Sequence, residues 1–301
     1  MQYLLRGERV TWAQRPARTT LAECIAIVTG ASSGIGAATA TALARNQVHV
    51  VLAARRAERI TQLAAHLAQT YGVRTLAVPT DVSRRAAVDA LVAQTLDTFG
   101  RIDILVNNAG VGLQGDVAAL PEAELRYLFD VNLFGAVHAM QAVIPAMRQQ
   151  RSGTIVNVTS ILGRVTLPSL GMSGASAGYT ASKAALEAFS AAARMELAAD
   201  GIRVITVAPG VTASDFDASS LRAAPAGERP AVRSGSLMGV VPAAKVADRI
   251  VSAIARGERD VYISWKDRVF VWGARSLPGL FEWAMKRLRQ RRIAEQGMVD
   301  S

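Results

Sequence analysis

Short apolar runs alternate with longer amphipathic segments along most of the chain after residue 23. This alternation is typical of β-strands joined by helical crossovers in a parallel sheet. Several runs are apolar at consecutive positions, as expected of strands that helices cover on both faces. The runs predict strands at residues 24–28, 48–53, 75–78, 102–106, 154–158, 203–207 and 261–263.

The segments between these runs carry apolar residues at helical spacing. In the segment 57–71, for example, Ile60, Leu63 and Leu67 fall on one stripe. Helices are predicted over 35–46, 57–71, 84–99, 122–149, 179–199 and 243–256. The fold class that follows is α/β, a Rossmann-like doubly wound parallel sheet of about seven strands with helices on both faces. Such sheets bind ligands at the carboxyl ends of their strands.

Two stretches interrupt this rhythm. Residues 171–178 (GMSGASAG) are nearly all small, and residues 212–239 have the mixed composition of a flap. Long loops inside a compact domain are often functional. We expect a role for the flap; a disordered insertion without a role is the alternative.

Composition narrows the class of protein. Half of the 301 residues are hydrophobic and 19% are charged, which suits a large core and argues against global disorder. The single cysteine, Cys24, excludes an internal disulfide and fits a reducing compartment. Residues 1–23 lack a signal-peptide core, and no window has the ~18 uninterrupted apolar residues of a membrane span. We therefore expect a cytoplasmic protein, with peripheral membrane contact as the alternative.

The chain is strongly basic, with a formal net charge of +10. One interpretation is a solvated, arginine-rich surface; the other is a basic face that meets an anionic cofactor, a membrane or a nucleic acid. No zinc-ligand cluster or helix-turn-helix signature is present, so we expect neither a metal site nor nucleic-acid binding.

A glycine cluster follows the first predicted strand and leads into the first predicted helix. Glycines permit a tight turn and let the backbone approach a pyrophosphate, whose charge then lies at a helix N-terminus. Since the cluster lies between a strand and a helix, it predicts a nucleotide site rather than a plain turn. The residues expected to bind the phosphates are Gly30, Ser32, Ser33, Gly34, Ile35 and Gly36.

The spacing of this cluster, G-x-x-x-G-x-G, resembles that of the short-chain dehydrogenase/reductase family. Further motifs follow in family order, and the similarity runs from about residue 24 to residue 263. These motifs are Asp81-Val82, Asn107-Asn108-Ala109-Gly110, Asn132, Ser160, Tyr179-x-x-x-Lys183 and Pro209-Gly210.

The resemblance implies a nicotinamide-dependent oxidoreductase that forms a dimer or tetramer through helices near Asn132 and Tyr179. It places Asp81 against the adenine ring and has Asn108 hold the following turn, although ordinary turn chemistry would explain either residue. The segment from Pro209 is implied to touch the nicotinamide amide and to begin a substrate lid. The further cofactor-binding residues implied are Val82, Ala109, Gly110, Tyr179, Lys183, Pro209, Gly210 and Thr212.

The end of the second strand indicates which dinucleotide is preferred. An acidic residue there would accept hydrogen bonds from the ribose hydroxyls of NAD. This strand instead ends in Ala54, Arg55 and Arg56. Two guanidinium groups can bind a 2′-phosphate through charge-assisted bonds, so we predict NADP(H). The alternative is that both arginines only cap a solvated helix start.

Tyr179 and Lys183 are four residues apart in a predicted helix and therefore share one face. Reduction of a ketone needs a proton at the carbonyl oxygen, and a free tyrosine, with a pKa near ~10, is a poor acid–base group at neutral pH. We expect the lysine ammonium to lower the phenol pKa. Asn132 resembles the helix-bending asparagine of the family, which holds a water near the lysine; a packing kink is the alternative.

Ser160 ends a predicted strand, where its hydroxyl can donate to the substrate oxygen. The family usually separates this serine from the tyrosine by about 13 residues, which would select Thr166. We keep Ser160 because of its place in the topology and assign the surplus residues to the loop 171–178. That loop would reshape substrate access or contribute Ser173 or Ser176 instead.

Aromatic and then basic residues are dense after residue 261. Such a helix could lie on an anionic membrane, pack on a neighbouring subunit or roof the substrate pocket. We predict a flexible arm (1–22), a dinucleotide-binding catalytic domain (23–264) and an aromatic, basic helical extension (265–301).

The function expected is hydride transfer between NADP(H) and an alcohol or carbonyl substrate, with Tyr179 as acid and base. The substrate is a small molecule for which the flap suggests only apolar character. Two alternatives stay open: an NADP(H)-binding redox sensor without turnover, and a basic protein that binds membranes or nucleic acid.

Overall fold

A computed structural model describes residues 20–168, 177–213, 221–222 and 239–297. Most of the predicted N-terminal arm, most of the loop 171–178 with Ser173 and Ser176, and most of the flap lie outside the described residues; Leu21, near the end of the predicted arm, is buried in the core.

Seven parallel strands form the central sheet in the order β7-β6-β5-β4-β1-β2-β3. The predicted doubly wound fold is confirmed, and each predicted strand is found within two residues of its expected bounds. The order reverses between β1 and β4, so a crevice opens there at the carboxyl ends of the strands. The strands are β1 (Ile25–Thr29), β2 (His49–Ala54), β3 (Thr75–Pro79), β4 (Ile104–Asn107), β5 (Gly153–Val158), β6 (Ile202–Ala208) and β7 (Asp260–Tyr262).

Helices cover both faces of this sheet, and each face has its own core. In β1, Ala26 and Val28 belong to one core, whereas Ile25 and Ile27 belong to the other. Neighbouring strand positions point to opposite faces, and both faces are buried, which is why this strand is apolar at every position. The helices are α1 (Gly34–Arg45), α2 (Ala57–Tyr71), α3 (Arg85–Phe99), α4 (Glu122–Phe129), α5 (Gly135–Gln150), α6 (Ala177–Glu196), α7 (Ala243–Arg256), α8 (Trp265–Ser276) and α9 (Pro278–Gly297).

The single helix predicted over 122–149 is in fact interrupted. A π-helical turn, Asp130–Phe134, separates α4 from α5. The stretch Glu122–Gln150 has a mean hydropathy of 1.2 in its most apolar window and is long enough to cross a membrane by composition alone. Half of that window is buried inside the protein, as in the core helix of a folded domain.

Two helices follow the last strand and cover the crevice side of β6. A capping box starts α8: the Ser264 hydroxyl accepts from the Asp267 amide, and the Asp267 carboxylate accepts from the Ser264 amide. The rings of Phe270 in α8 and Phe281 in α9 meet edge to face with centroids 5.6 Å apart. The α8 helix therefore reaches the crevice through Phe270, and α9 packs on α8 through Phe281.

Candidate active site

A cleft of about 450 Å³ opens at the carboxyl ends of the strands, where the strand order reverses. It brings together nearly all the residues that the sequence nominated. Gly36 and Asn132 are buried directly behind its wall. The nominated residues that line it are Gly30, Ser32, Ser33, Gly34, Ile35, Arg55, Arg56, Asp81, Val82, Asn108, Ala109, Gly110, Ser160, Tyr179, Lys183, Pro209, Gly210 and Thr212.

The glycine turn needs glycine for two separate reasons. Gly30 has a φ of 66°, a left-handed conformation that other residues rarely adopt. A Cβ at Gly30 would lie 2.8 Å from the Ala109 Cα, and a Cβ at Gly36 would collide with the Gly30 carbonyl oxygen. Backbone thus packs on backbone in this turn, which leaves the N-terminus of α1 open to the cleft.

Hydrogen bonds join this turn to the segment after β4. The Asn108 side-chain amide donates to the carbonyl oxygens of Thr29 (3.0 Å) and Gly30 (3.3 Å). The Thr29 hydroxyl in turn accepts from the backbone amides of Asn108 and Ala109. Asn108 therefore holds the glycine turn as well as its own. Asp81 faces the cleft and accepts from the backbone and hydroxyl of Ser83, so it also makes an ordinary Asx turn.

Arg55 and Arg56, the two arginines after β2, line the end of the cleft next to the glycine turn. Arg56 occupies the N-cap position of α2, yet its side chain makes no capping bond. Its guanidinium donates instead to the hydroxyls of Ser32 (2.8 Å) and Ser33 (2.7 Å) in the glycine turn. Arg55 donates to the Tyr127 hydroxyl at 2.6 Å. A positive pair of side chains is thus held beside the glycine turn.

Tyr179 and Lys183 lie in the first turns of α6 and are both buried. The Lys183 ammonium is 6.0 Å from the centre of the Tyr179 ring and donates to the Val158 carbonyl oxygen at 3.1 Å. Tyr179 forms a side-chain hydrogen bond with Ser160, at the end of β5. Three of the four residues nominated for catalysis therefore meet on one wall of the cleft.

Burial shifts the pKa values of both Tyr179 and Lys183. Burial raises the pKa of Tyr179 to about 12, and the hydrogen bond with Ser160 acts in the lowering direction. Burial also lowers the pKa of Lys183 to about 8, against the opposing effect of the Glu187 carboxylate. Burial thus dominates the pKa of Tyr179, and the Lys183 ammonium is not among the causes of its shift, so the expected lowering of the phenol pKa by the lysine stays a prediction.

The fourth nominated residue, Asn132, lies within the π turn and is 1% exposed. Its side-chain oxygen accepts from the Val111 amide at 2.8 Å, and its nitrogen donates to the Val111 carbonyl (2.9 Å) and the Ser182 hydroxyl (3.1 Å). These bonds explain the interruption of the helix and join it to α6. They agree with the packing interpretation, and the relay role of Asn132 beside Lys183 stays a prediction.

The positions of Ser160 and Thr166 in the structure bear on which of them could donate to the substrate oxygen. Ser160 lines the cleft and its hydroxyl also accepts from the Leu162 amide at 3.1 Å, whereas Thr166 is exposed and is not among the cleft residues. Ser173 and Ser176 lie outside the described residues.

Sequence reasoning missed a chain of buried amides behind the cleft. Asn107 donates to Asn157 at 2.9 Å, and Asn157 donates to the Ser190 hydroxyl at 2.7 Å. These bonds connect β4 and β5 to α6, the helix that carries Tyr179. Asn107 was visible only as part of a motif, and a lone Asn157 or Ser190 carries no recognisable signal.

It also missed the second neighbour of Lys183. Glu187 lies one turn further along α6, where it accepts from the Thr159 hydroxyl at 2.6 Å and from Arg164 at 2.9 Å. The Arg164 side chain is only 9% exposed. A half-buried ion pair thus lies next to the lysine along α6, and the i, i+4 spacing of Glu187 from Lys183 was the only available clue.

The apolar end of the cleft includes one residue from the C-terminal helices. Phe270 of α8 lines it together with Leu162 and Leu167. This contact supports one of the three interpretations of the C-terminal extension, namely that it forms a roof over the substrate pocket.

A family model described as short chain dehydrogenase matches residues 24–224, more than half of the chain. The chain belongs to this family. Like other members it is an oxidoreductase with a Rossmann-like nucleotide-binding fold.

Individual relatives agree with this membership. A "Dehydrogenase/reductase SDR family protein 7-like" of Anopheles gambiae is 32% identical over 271 residues, which cover 87% of this chain and 82% of the relative. A short-chain dehydrogenase/reductase from Burkholderia phymatum, solved with NAD, has a TM-score of 0.76 at 26% identity and covers 87% of this chain and 96% of its own. A short-chain dehydrogenase from Sphingobium yanoikuyae, solved with NADPH, has a TM-score of 0.70 at 29% identity, with 86% and 95% covered.

Proposed function

We propose that this short-chain dehydrogenase interconverts an alcohol and a carbonyl group with NADP(H), and that Tyr179 exchanges the proton. The observation that carries the proposal is the meeting of Ser160, Tyr179 and Lys183 in the cleft that also contains the glycine turn. Separate elements, β5, α6 and α1, contribute these groups.

The residues present fit a nicotinamide dinucleotide. Gly30 and Gly36 let backbone segments pack closely beside the N-terminus of α1, because a side chain at either position would fill that space. A pyrophosphate could therefore approach the backbone amides of this turn. Asp81 and Val82 would border the adenine, and Lys183 and Thr212 would lie at the nicotinamide half. When bound, the dinucleotide would supply the hydride donor or acceptor and, in its oxidised form, a positive charge.

Tyr179 would donate its phenolic proton to the substrate oxygen during reduction and take it back during oxidation. The Ser160 hydroxyl, already hydrogen-bonded to the phenol, would donate to the same oxygen and stabilise its developing charge. Since burial holds the phenol pKa at about 12, the reaction needs positive charge close to the ring to bring that pKa down. Lys183 is the nearby cation of the chain, and the positive charge of an oxidised nicotinamide would add to it.

The preference for NADP(H) is supported by Arg55 and Arg56. Both side chains line the nucleotide end of the cleft, and Arg56 is oriented by the hydroxyls of Ser32 and Ser33 rather than used as a helix cap. No carboxylate ends β2, where NAD-binding proteins place one. A 2′-phosphate would meet two guanidinium groups without repulsion.

Exposed apolar side chains support the expected homo-oligomer. Phe134 at the π turn and Phe189 and Met195 on α6 are 46%, 48% and 75% exposed. These are the helices that carry Asn132 and Tyr179, as the resemblance implied. We propose that a second copy covers them.

A panel of carbonyl and alcohol substrates with NADP(H) and NAD(H), run with the wild type and Tyr179→Phe, tests the proposal. We expect turnover with at least one substrate, a higher kcat/KM with NADP(H), and a fall in kcat of roughly 100-fold or more in the variant. Cofactor binding, followed by fluorescence, serves as the control and should persist. Cofactor binding with no turnover across the panel would favour the redox-sensor alternative, and full activity of the variant would refute the role of Tyr179.

A further inference from the structure

The two C-terminal helices expose large apolar side chains on their outer sides. In α8, Trp265, Val269 and Trp272 are 72%, 54% and 67% exposed. Their spacing of four and then three residues puts them on one stripe of the helix. In α9, Leu280 and Trp283 are 61% and 53% exposed and three residues apart. We call these five side chains the outer face of α8 and α9.

This exposure does not come from helices that fail to pack. On their other sides, Val271 and Ala274 of α8 are buried, and Phe281 and Met285 of α9 pack on the same cluster near the cleft. Further along α9, Arg289 forms an ion pair with Asp116 at 2.8 Å. Each helix thus has a satisfied inner side, so the outer face is left for a partner.

Cationic side chains surround the outer face. Residues 265–291 contain seven Lys and Arg but only two Asp and Glu, and Asp267 is buried in the capping box. Among the described residues, Lys266, Arg268 and Arg275 have no ion-pair partner. The Arg287 guanidinium lies 4.5 Å from the centre of the Trp283 ring, so one cation is held directly on the apolar surface.

We propose that the outer face of α8 and α9 docks on an anionic lipid bilayer. Indole rings settle at the boundary between headgroups and acyl chains, and flanking Lys and Arg bind the anionic headgroups. Charge argues against a second copy as the occupant, because a symmetric contact would bring two equally cationic surfaces together. A bilayer of opposite charge has no such penalty.

The position of the cleft agrees with this partner. Phe270 reaches from α8 into the apolar end of the cleft, beside Leu162 and Leu167, and its ring packs on Phe281 of α9. The helices that carry the outer face therefore also form a wall of the cleft. Given the proposed function, docking through these helices would place one wall of the substrate end of the cleft beside the bilayer.

Flotation of the full chain with phosphatidylcholine vesicles, with and without phosphatidylglycerol, tests the docking. Wild type should float with the anionic vesicles only and lose binding as salt is raised. Three of the four tryptophans belong to the outer face, so the emission of the bound protein should shift to the blue. The variant Trp265→Ser/Trp272→Ser/Trp283→Ser should bind at least tenfold more weakly.

Two variants distinguish binding through the outer face from nonspecific adhesion of exposed apolar side chains. Val117→Ser/Val240→Ser removes side chains that are 76% and 46% exposed elsewhere and should float as wild type does. Lys266→Glu/Arg275→Glu should lose the response to phosphatidylglycerol. Circular dichroism and thermal unfolding should show that each variant is folded.

The proposal fails if wild type does not bind anionic vesicles, or if the triple tryptophan variant binds them as wild type does. It also fails if sedimentation shows that the triple variant only breaks an oligomer, because a second copy would then be the occupant. Binding is measured without cofactor or substrate, so Tyr179→Phe should float normally. A failure of docking is therefore distinguishable from a failure of the proposed reaction.

Discussion

The two ends of the cleft are built in different ways. The nucleotide end consists of the turns that directly follow β1, β2 and β4, where glycines and hydrogen bonds such as Asn108 to Thr29 determine the backbone. The substrate end is lined by apolar side chains, among them Leu162, Leu167 and Phe270, from segments far apart in the chain. Phosphate recognition needs backbone amides in one geometry, whereas an apolar wall needs only suitable volume and shape.

Recognition of the cofactor and recognition of the substrate therefore depend on different kinds of residue. The nucleotide end can be recognised from short motifs, because each motif forms its own turn. The substrate end depends on which distant side chains the tertiary structure brings together, here including a helix beyond the family match. Substitutions at the two ends should therefore change different kinetic parameters, while the group at their junction should affect kcat.

The largest effect in this comparison should come from Ser160, at the junction of the two ends. Ser160→Ala removes the hydroxyl that is hydrogen-bonded to Tyr179, and we expect kcat to fall by roughly 100- to 1000-fold. Thr166→Ala, at an exposed position outside the cleft, is the matched control and should change kcat less than about twofold. A large loss in the control with none in Ser160→Ala would reassign the serine role.

Lys183, also at the junction, should make stability depend on pH. Its pKa is about 8 in the folded protein, below the 10.5 of an unperturbed lysine, so the unfolded chain binds more protons between these values. The free energy of unfolding should therefore rise by up to about 3 kcal/mol as the pH increases through this window. In Lys183→Met this rise should be absent, which urea unfolding at about pH 7.5 and about pH 10 would measure. Equal pH dependence in both proteins would contradict the buried, destabilised ammonium.

At the nucleotide end, Arg56→Ala should weaken NADP(H) selectively. Loss of one charge-assisted contact to a 2′-phosphate should raise the KM for NADPH by roughly 10- to 100-fold, with little change for NADH. Lys245→Ala, an exposed change on α7, serves as the control. An equal loss with both cofactors would mean that the arginine only supports the glycine turn through Ser32 and Ser33.

The smallest effect is expected at the substrate end. Phe270→Ala removes part of the apolar wall, so KM should rise by roughly tenfold for bulky apolar substrates and less for small ones. The KM for the cofactor should stay the same. If the KM values for cofactor and substrate rose together, the two ends of the cleft would not be independent.

Much of the fold could be predicted because its signals are local. The periods of two and of 3.6 residues identify the strands and helices, and a strand buried on both sides, such as β1, shows it by being apolar throughout. The glycine turn was recognisable because a left-handed Gly30 and a close backbone contact at Gly36 leave few residue choices. Those features depend on residues near one another in the chain.

The features that could not be predicted from the sequence depend on contacts between residues that are far apart in the chain. The π turn exists because Asn132 bonds to Val111 and Ser182, at separations of 21 and 50 residues. The pKa of Tyr179 moves upward because desolvation depends on how deeply the whole structure buries the phenol. The dense aromatic residues near the C-terminus likewise divide into an inward Phe270 and an outward Trp272 only once α8 packs. The strands, the turns and the chemical groups of the site follow from local sequence patterns. The pKa values of those groups, their hydrogen-bond partners and the exposed surfaces follow only from the folded chain, since burial depends on contacts between distant residues.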